Sequence, residues 1–203
     1  MHPNPSFRRT NLKHALAFIR DRAFGQLCIN GSDGPLVSHV PFLLNDTADL
    51  AELHLVRSNP IARISEPIPA VIAVSGLDAY ISPDWYNVPD QVPTWNYIAV
   101  HLRGTLAPSD ADMHDLLDRQ TAAYEDRLDK AHWLTSKMSD GVMDKMMRQI
   151  LPFRFDITDI QSTFKLGQNK PDQVRIDAAN QLETGLGSEL PSLAALMRDP
   201  PQD

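Results

Sequence analysis

The spacing of strand-like segments constrains the fold of this chain more than any other feature of its sequence. Short segments rich in β-branched and aromatic residues follow one another at hairpin spacing, mostly before residue 107, and few helical patterns separate them. A parallel sheet needs a long, usually helical crossover between successive strands, so this order favours a small antiparallel barrel and a mainly β fold with peripheral helices. The predicted strands are QLCIN (26–30), PLVSHVPFLL (35–44), ELHLV (52–56), PAVIAVSG (69–76) with its continuation DAYISPDWY, TWNYIAVHLRGTL (94–106) and FRFDITDIQSTFKL (153–166).

Helical patterns lie at the start of the chain and in its second half. The segment TNLKHALAFIRDRAFG (10–25) carries an apolar stripe at helical spacing between a threonine that can cap the helix and a glycine that can end it. We predict a single domain over residues 1–186, with helical additions at about 109–150 and 171–185. Residues 187–203 are predicted to form a flexible tail with one helical turn at most.

Composition excludes several classes of protein. The chain has 203 residues, 42% of them hydrophobic, and a net charge of −7, which argues against broad binding to the DNA backbone. No apolar run reaches the length of a membrane span, and the N-terminus lacks the apolar region of a secretory signal. Because Cys28 has no second cysteine to pair with, we expect a cytoplasmic protein in a reducing compartment.

A dense group of hydrogen-bond donors follows the third predicted strand. In HLVRSNPIAR, Asn59 can cap a short helix whose first residue is proline, and the free N–H groups at a helix start favour an anion. Arginine suits two-pronged contact with phosphate, so the stretch predicts a phosphate site. The alternative is a capped surface helix with solvated arginines, and a strand histidine such as His54 is often only hydrogen-bonded. The candidate residues here are His54, Arg57, Ser58, Asn59 and Arg63.

The second predicted strand, PLVSHVPFLL, places polar residues among apolar ones. Alternation puts Ser38 and Val40 on one face and His39 on the other, while Pro41 implies an edge, a bulge or a strand end because proline donates no ladder hydrogen bond. Such a strand could line a planar ring and hydrogen-bond its edge. An edge strand with outward polar residues is the alternative.

Aromatic residues are concentrated in SPDWYNVPDQVPTWNY, around three prolines. The stiff segment suits a pocket wall or a subunit interface, and we take Trp95 and Tyr97 as candidates for a cofactor wall. The alternative is a loop that packs over the barrel mouth on its own aromatic residues.

A second group of donors ends the last predicted strand, in KLGQNKP. Lys165, Gln168, Asn169 and Lys170 precede a helix about one hundred residues after the first group. Two such groups in an acidic chain make an anionic ligand more plausible than either does alone, although a helix cap explains the second group equally well.

Recognisable catalytic motifs are absent from the sequence. We find no Walker loop, no G-x-G-x-x-G, no G-x-S-x-G, no zinc-type Cys/His spacing and no defensible Ser/His/Asp order, so no metal site is predicted. Any chemistry must therefore be carried by a cofactor.

Seven segments together resemble the PaiB family, bacterial proteins described as FMN-binding proteins and negative transcriptional regulators. The resemblance covers roughly residues 1–180, in order and with close spacing. The segments are MHPNPSF, PLVSHVPFLL, HLVRSNPIAR, VSGLDAYISPDWY, QVPTWNYIAVHLRGTL, GVMDKMMRQILPF and FKLGQNKP.

The resemblance implies a split β-barrel like that of pyridoxamine-phosphate oxidases, usually a homodimer with FMN in a groove between two barrels. By position, HLVRSNPIAR matches the segment that holds the FMN phosphate in that fold, and VSHVPF matches the strand beside the flavin ring. One departure is Gly167, where the family commonly has serine in KLSQNK; the hydroxyl is lost and the backbone gains freedom.

These observations support three functional hypotheses. The first is a cytoplasmic FMN-binding homodimer that acts as a flavin-dependent oxidoreductase or a flavin-responsive regulator. The second is a transcriptional or stress regulator that acts by binding DNA or protein without flavin catalysis; the net charge does not favour direct DNA binding. The third is a barrel that binds another planar ligand such as haem, with His39, His54 and His101 in predicted strands.

Overall fold

A computed structural model describes residues 1–201 and shows seven strands and five α-helices in this part of the chain. Five short 3-10 helices are also present in this part of the chain: Pro5–Phe7 precedes all these elements, and the other four, including Pro60–Arg63 and Pro83–Tyr86, lie between them. In chain order the elements are α1 (Leu12–Arg22), β1 (Phe24–Gly31), β2 (Gly34–Leu44), β3 (Leu50–Val56), β4 (Ile68–Ile81), β5 (Thr94–Pro108), α2 (Met113–Glu125), α3 (Val142–Met147), β6 (Ile150–Lys165), α4 (Asp172–Asn180), β7 (Gly187–Ser188) and α5 (Leu190–Arg198).

The residues group into two compact units. Unit 1 contains Met1–Ile19, Val74–His101 and the chain from Gln161 onward, and unit 2 contains Arg20–Ala73 and Leu102–Ile160. Three long strands, β4, β5 and β6, contribute residues to both units.

Six strands hydrogen-bond in a closed ring. Their order is β1-β2-β3-β6-β5-β4, and β4 pairs again with β1. The pairs β1–β2, β2–β3, β3–β6 and β1–β4 are all antiparallel, as the hairpin spacing of the sequence predicts. The closed ring removes sheet edges and forms a small barrel.

Alternate residues of these strands form the core of unit 2. Leu27 faces Ser38 on one neighbouring strand and Ile72 on the other, and Leu53 pairs with Phe153. Because side chains alternate across a strand, every second position points into the barrel, and most of these positions are apolar. The buried residues include Leu27, Ile29, Val40, Phe42, Leu53, Leu55, Ile72, Leu102, Phe153 and Phe155.

Pro41 marks a change of partner within β2. Residues up to Pro41 pair with β1, Pro41 itself lies opposite Phe24, and the pairing with β3 starts at Phe42. Proline has no N–H to donate, and Pro41 lies where the hydrogen-bond ladder with β1 stops. This position agrees with the prediction that Pro41 marks an edge, a bulge or a strand end.

Helix α2 packs across the outward side chains of β3 in unit 2. Arg119 donates two hydrogen bonds to the Glu52 carboxylate, at 2.6 and 3.0 Å, and the Tyr124 hydroxyl donates to the carbonyl of Ala23 at 2.6 Å. A two-pronged pair of this kind fixes the helix direction as well as its distance.

The C-terminal segment differs from the sequence prediction of one helical turn at most. It forms the nine-residue helix α5, in which Leu193, Ala194 and Met197 are fully buried. The reason is tertiary, because the buried Arg175 of α4 donates to the carbonyls of Met197 and Arg198 at the end of α5. Within residues 1–201, no helix is both long and apolar enough to span a membrane.

Candidate functional site

The stretch after β3 forms a capped turn, which we call the RSNP turn (residues 57–60). Asn59 has extended dihedral angles (φ −65°, ψ 131°), its Oδ1 accepts a hydrogen bond from the backbone N–H of Ile61 at 2.9 Å, and Pro60 is the first residue of the 3-10 helix. This confirms the predicted cap, which arises because proline has a helical φ and needs no N–H partner there.

Asn59 also ties the RSNP turn to β2. Its Nδ2 donates to Ser38 Oγ at 2.9 Å, so two predicted site residues from separate segments meet within unit 2. Both ends of the Asn59 amide are therefore used by the fold, and the amide positions the turn.

The two arginines of the stretch are exposed. Arg57 Nε donates to the carbonyl of Arg148 at 2.7 Å, and the backbone N–H of Arg57 donates to the carbonyl of Gln149 at 2.8 Å. Within residues 1–201, the structure pairs neither Arg57 nor Arg63 with a carboxylate, and the neighbouring Ser58 is exposed. The turn thus presents fixed positive charge beside a hydroxyl, a combination that suits an anion.

The remaining candidates of β2 lie on opposite faces. His39 is exposed and stacks on Phe24 with ring centroids 6.3 Å apart, whereas Val40 points into the barrel and is only 2% exposed. Pro41 is half-buried. Only His39 among these three offers a polar side chain to a ligand outside the barrel.

His54 lies beneath α2. Its neighbours Leu53 and Leu55 point into the barrel, so the imidazole points outward, where burial lowers its pKa. Neither His54 Nδ1 nor Gln120 Nε2 has a hydrogen-bond partner within residues 1–201. Of the candidates predicted in this stretch, His54 therefore contacts helix α2, whereas Arg57 and Asn59 form part of the RSNP turn.

The second donor group surrounds a cavity of unit 1, which we call the lysine pocket. Lys165 donates to Thr94 Oγ1, and Lys170 donates to Gln91 Oε1 and lies 4.3 Å from the centroid of the Tyr86 ring. The cavity measures about 230 Å³. Its lining consists of His2, Phe7, Tyr86, Val92, Thr94, Asn96, Lys165, Gly167, Asn169 and Lys170.

Gln168 closes the turn that leads into this pocket. Its Oε1 accepts from the backbone N–H of Leu166 at 2.8 Å, and its Nε2 donates to the carbonyl of Phe164 at 2.5 Å. Gly167 has a φ of +81°, a left-handed conformation that glycine adopts without strain. Gln168 thus shapes the turn, while Asn169 and Lys170 line the cavity.

Trp95 and Tyr97 alternate with the pocket residues along β5. Trp95 is 45% exposed and meets Tyr80 edge-on, with ring centroids 6.3 Å apart, and Tyr97 is half-buried. Thr94 and Asn96 line the lysine pocket instead.

The N-terminal wall of this pocket is not among the residues predicted from the sequence. The backbone N–H of His2 donates to Thr163 Oγ1 at 3.2 Å, which holds His2 beside β6, and the His2 ring meets Phe7 edge-on at 4.8 Å. No local pattern signals this pairing of residues 161 positions apart.

Two solved structures with the same fold are flavoproteins by their titles. The chain is similar to the FAD and heme binding protein from Mycobacterium smegmatis, with a TM-score of 0.57, 16% identity and coverage of 90% of this chain and 82% of that one. It is also similar to the flavocytochrome Anf3 from Azotobacter vinelandii, with a TM-score of 0.55, 12% identity and coverage of 81% and 72%. The predicted split β-barrel with peripheral helices is confirmed.

The chain belongs to the family described as "Putative FMN-binding domain", whose model matches residues 1–159. It is 29% identical over 197 residues to "Protease synthase and sporulation protein PAI 2" of Bacillus subtilis (strain 168), with coverage of 95% of this chain and 94% of the relative. These matches confirm the resemblance to the PaiB family, and the family's description agrees with the predicted flavin cofactor.

Proposed function

We propose that the protein is a cytoplasmic FMN-binding homodimer whose RSNP turn holds the FMN phosphate. The observation that carries this proposal is the geometry of the turn. Arg57 is anchored through Nε to the Arg148 carbonyl, beside the exposed Ser58 and a helix cap, and no carboxylate of residues 1–201 neutralises it. A flavin phosphate would receive charge-assisted hydrogen bonds there without displacing an existing ion pair.

Each residue of the turn has its own role in this site. Arg57 and Ser58 are the phosphate donors, and Arg63, at the end of the 3-10 helix, adds positive charge from further away. Asn59 and Ser38 position the turn, because their side chains hydrogen-bond each other. The residues present fit a phosphate, and FMN, once bound, supplies one- and two-electron chemistry.

Exposed apolar residues on the outer face of β1 and β2, on either side of the polar pair Gln26 and His39, support the homodimer. Phe24 is 52% exposed and Val37 is 55% exposed, and the register places Pro41 beside Phe24 and Cys28 beside Val37 on that face. A second copy would cover such a surface. Sedimentation should give about twice the chain mass of 22.7 kDa, and a monomer at all concentrations would contradict this part of the proposal.

The discriminating test is a titration of the wild type and Arg57→Ala with two flavins. Loss of one charge-assisted contact should weaken FMN binding roughly tenfold to a hundredfold, while riboflavin, which lacks the phosphate, should bind almost unchanged. Arg103→Ala, which removes another exposed arginine of unit 2, is the matched control and should leave both affinities unchanged.

Two results would contradict the assignment of the phosphate. Equal losses for both flavins would mean that Arg57 only supports the fold. No loss for either flavin would place the phosphate elsewhere, with the lysine pocket as the next location to test.

A protein with a bound flavin could act in either of two ways, as an oxidoreductase or as a flavin-responsive regulator. Anaerobic addition of NADH or NADPH separates them, since an oxidoreductase that uses either donor bleaches its flavin absorption within seconds to minutes. Direct reading of DNA is disfavoured by the net charge of −7, so we expect no specific DNA binding by the protein alone at physiological salt.

The haem alternative is tested by the visible absorption spectrum of the purified protein. His54 lies beneath α2, which leaves the exposed His39 as the more accessible of these two strand histidines, and the matching family is described by FMN binding and not by haem. We therefore expect flavin bands and no Soret band in the purified protein supplied with both cofactors.

A further inference from the structure

The lysine pocket carries positive charge without acidic residues. Lys165 and Lys170 each donate to an uncharged oxygen, and none of the ten lining residues is an aspartate or glutamate. Partly buried ammonium groups are costly unless a counter-charge accompanies them. In a chain whose net charge is −7, such a local excess of positive charge suits a ligand that brings its own negative charge.

The groups of the pocket also act on one another. Burial, and then the charge of Lys170, lowers the pKa of Lys165, and burial followed by the charge of Lys165 lowers the pKa of His2. These groups therefore repel one another across the cavity. An anion placed between them would turn this repulsion into attraction.

The walls of the pocket are apolar and partly aromatic. Phe7, Tyr86 and Val92 line it, and Lys170 lies 4.3 Å from the Tyr86 centroid. Asn96 also lines it, is 1% exposed, and donates through Nδ2 to the Met197 sulfur at 3.3 Å, a weak acceptor. The pocket thus offers flat apolar surface beside two ammonium groups and the amides of Asn96 and Asn169.

We propose that the lysine pocket binds a small carboxylate anion with a flat, apolar body. The two lysines and the Asn96 amide receive the carboxylate, and Phe7, Tyr86 and Val92 contact the body of the ligand. A volume of about 230 Å³ lies below the range usual for drug-sized ligands, so the ligand is small. The apolar walls favour an organic anion over inorganic phosphate, which would leave them uncovered.

This site is distinct in chemistry from the proposed phosphate site, because its cations are lysines of unit 1 and the RSNP turn belongs to unit 2. The inference therefore does not depend on the flavin assignment. Either proposal can fail while the other stands.

The first experiment compares three probes by calorimetry on the full chain, with and without saturating FMN. Benzoate should bind, whereas benzamide, which has the same shape but no charge, should bind at least tenfold more weakly. Inorganic phosphate should also bind more weakly than benzoate. Equal affinity for benzoate and benzamide, or stronger binding of phosphate, would overturn the proposal.

The second experiment repeats the benzoate titration on Lys165→Gln and Lys170→Gln. Each substitution should weaken benzoate binding about tenfold or more, since each removes one charge-assisted contact. Lys13→Gln, which removes an exposed lysine of α1 in unit 1, is the matched control and should change nothing. Lys170→Arg keeps the charge and should recover most of the binding if Lys170→Gln loses it.

FMN titrations on the same variants separate the two proposals. We expect unchanged FMN affinity in Lys165→Gln and Lys170→Gln. A parallel loss of FMN and benzoate would show that the pocket is part of the flavin site, which would overturn a separate carboxylate site. Unchanged benzoate affinity in both variants would overturn it as well.

Discussion

The RSNP turn and the lysine pocket are each supported by one amide side chain, but their cationic side chains differ in type and in exposure. In each, one amide side chain is used at both ends by the fold: Asn59 bridges Ile61 and Ser38, and Gln168 bridges Leu166 and Phe164. The cations beside Asn59 are exposed arginines, whereas Lys165, near Gln168, is half-buried and has a lowered pKa.

This difference has a physical origin in the two side chains. A guanidinium stays charged in nearly any environment and contacts phosphate in a planar, two-pronged way. An ammonium is a compact, strongly hydrated charge that loses stability when it is partly removed from water. The exposed turn therefore suits a large, solvent-reaching anion such as a nucleotide phosphate, and the pocket suits a small anion that can replace the water around the lysines.

The largest effect on stability is expected for Gln168→Ala. The substitution leaves the backbone N–H of the fully buried Leu166 without its acceptor and removes the bond to the Phe164 carbonyl. An unsatisfied buried donor costs about 1 to 3 kcal/mol, so the unfolding free energy should fall by about 2 to 3 kcal/mol in urea titrations. Gln168→Glu keeps the acceptor for the Leu166 N–H but turns a carboxylate oxygen toward the Phe164 carbonyl, so it should recover only part of the loss. An unchanged unfolding free energy in Gln168→Ala would mean that these bonds do not hold the turn.

Asn59→Ala should have a smaller effect, about 1 kcal/mol, which is typical for the loss of an N-cap side chain. Asn59→Asp keeps the oxygen that accepts from Ile61 and loses the donor to Ser38, so most of the stability should remain. Its added negative charge should nevertheless weaken FMN binding while riboflavin binding stays the same. If Asn59→Ala destabilised the protein more than Gln168→Ala, the predicted order of the two effects would be wrong.

Local sequence patterns predict much of the fold and, in the RSNP turn, the Asn59 cap. Alternation of apolar residues predicts β1 to β3, and the sequence Asn59-Pro60 predicts a cap because both residues act on their immediate neighbours. The contact between Asn59 and Ser38 could not be predicted in the same way, since it depends on how β2 and the turn meet in the folded barrel.

The two regions that sequence analysis missed depend on distant partners. Helix α5 has no side-chain cap at its N-terminus, and it is held at its other end by Arg175 of α4. The N-terminal wall of the lysine pocket depends on the pairing of His2 with Thr163. Contacts between residues so far apart leave no periodic pattern in the sequence, so only the folded chain reveals them.

The smallest effect on stability is expected for Lys165→Met at neutral pH. Unlike Gln168→Ala and Asn59→Ala, this substitution should raise the unfolding free energy. Burial and the charge of Lys170 lower the pKa of Lys165 below its ordinary value of 10.5, so the folded state binds this proton less tightly than the unfolded chain does. The charged lysine therefore weakens folding at every pH below its folded pKa, and stability returns as the pH rises through that value. Because the side chain is half-exposed, solvent screening limits the gain from methionine to about 0.5 kcal/mol.

The pH dependence of this gain in stability shows whether it comes from removal of the lysine charge or from new apolar contacts of the methionine. The difference in unfolding free energy between Lys165→Met and the wild type should shrink as the pH rises from neutral into the alkaline range, because the wild-type lysine loses its proton there. Lys13→Met replaces an exposed lysine of the same unit and should show no such trend. A gain that stayed constant with pH would come from the methionine side chain itself, and the half-buried charge would then not be what distinguishes the lysine pocket from the RSNP turn.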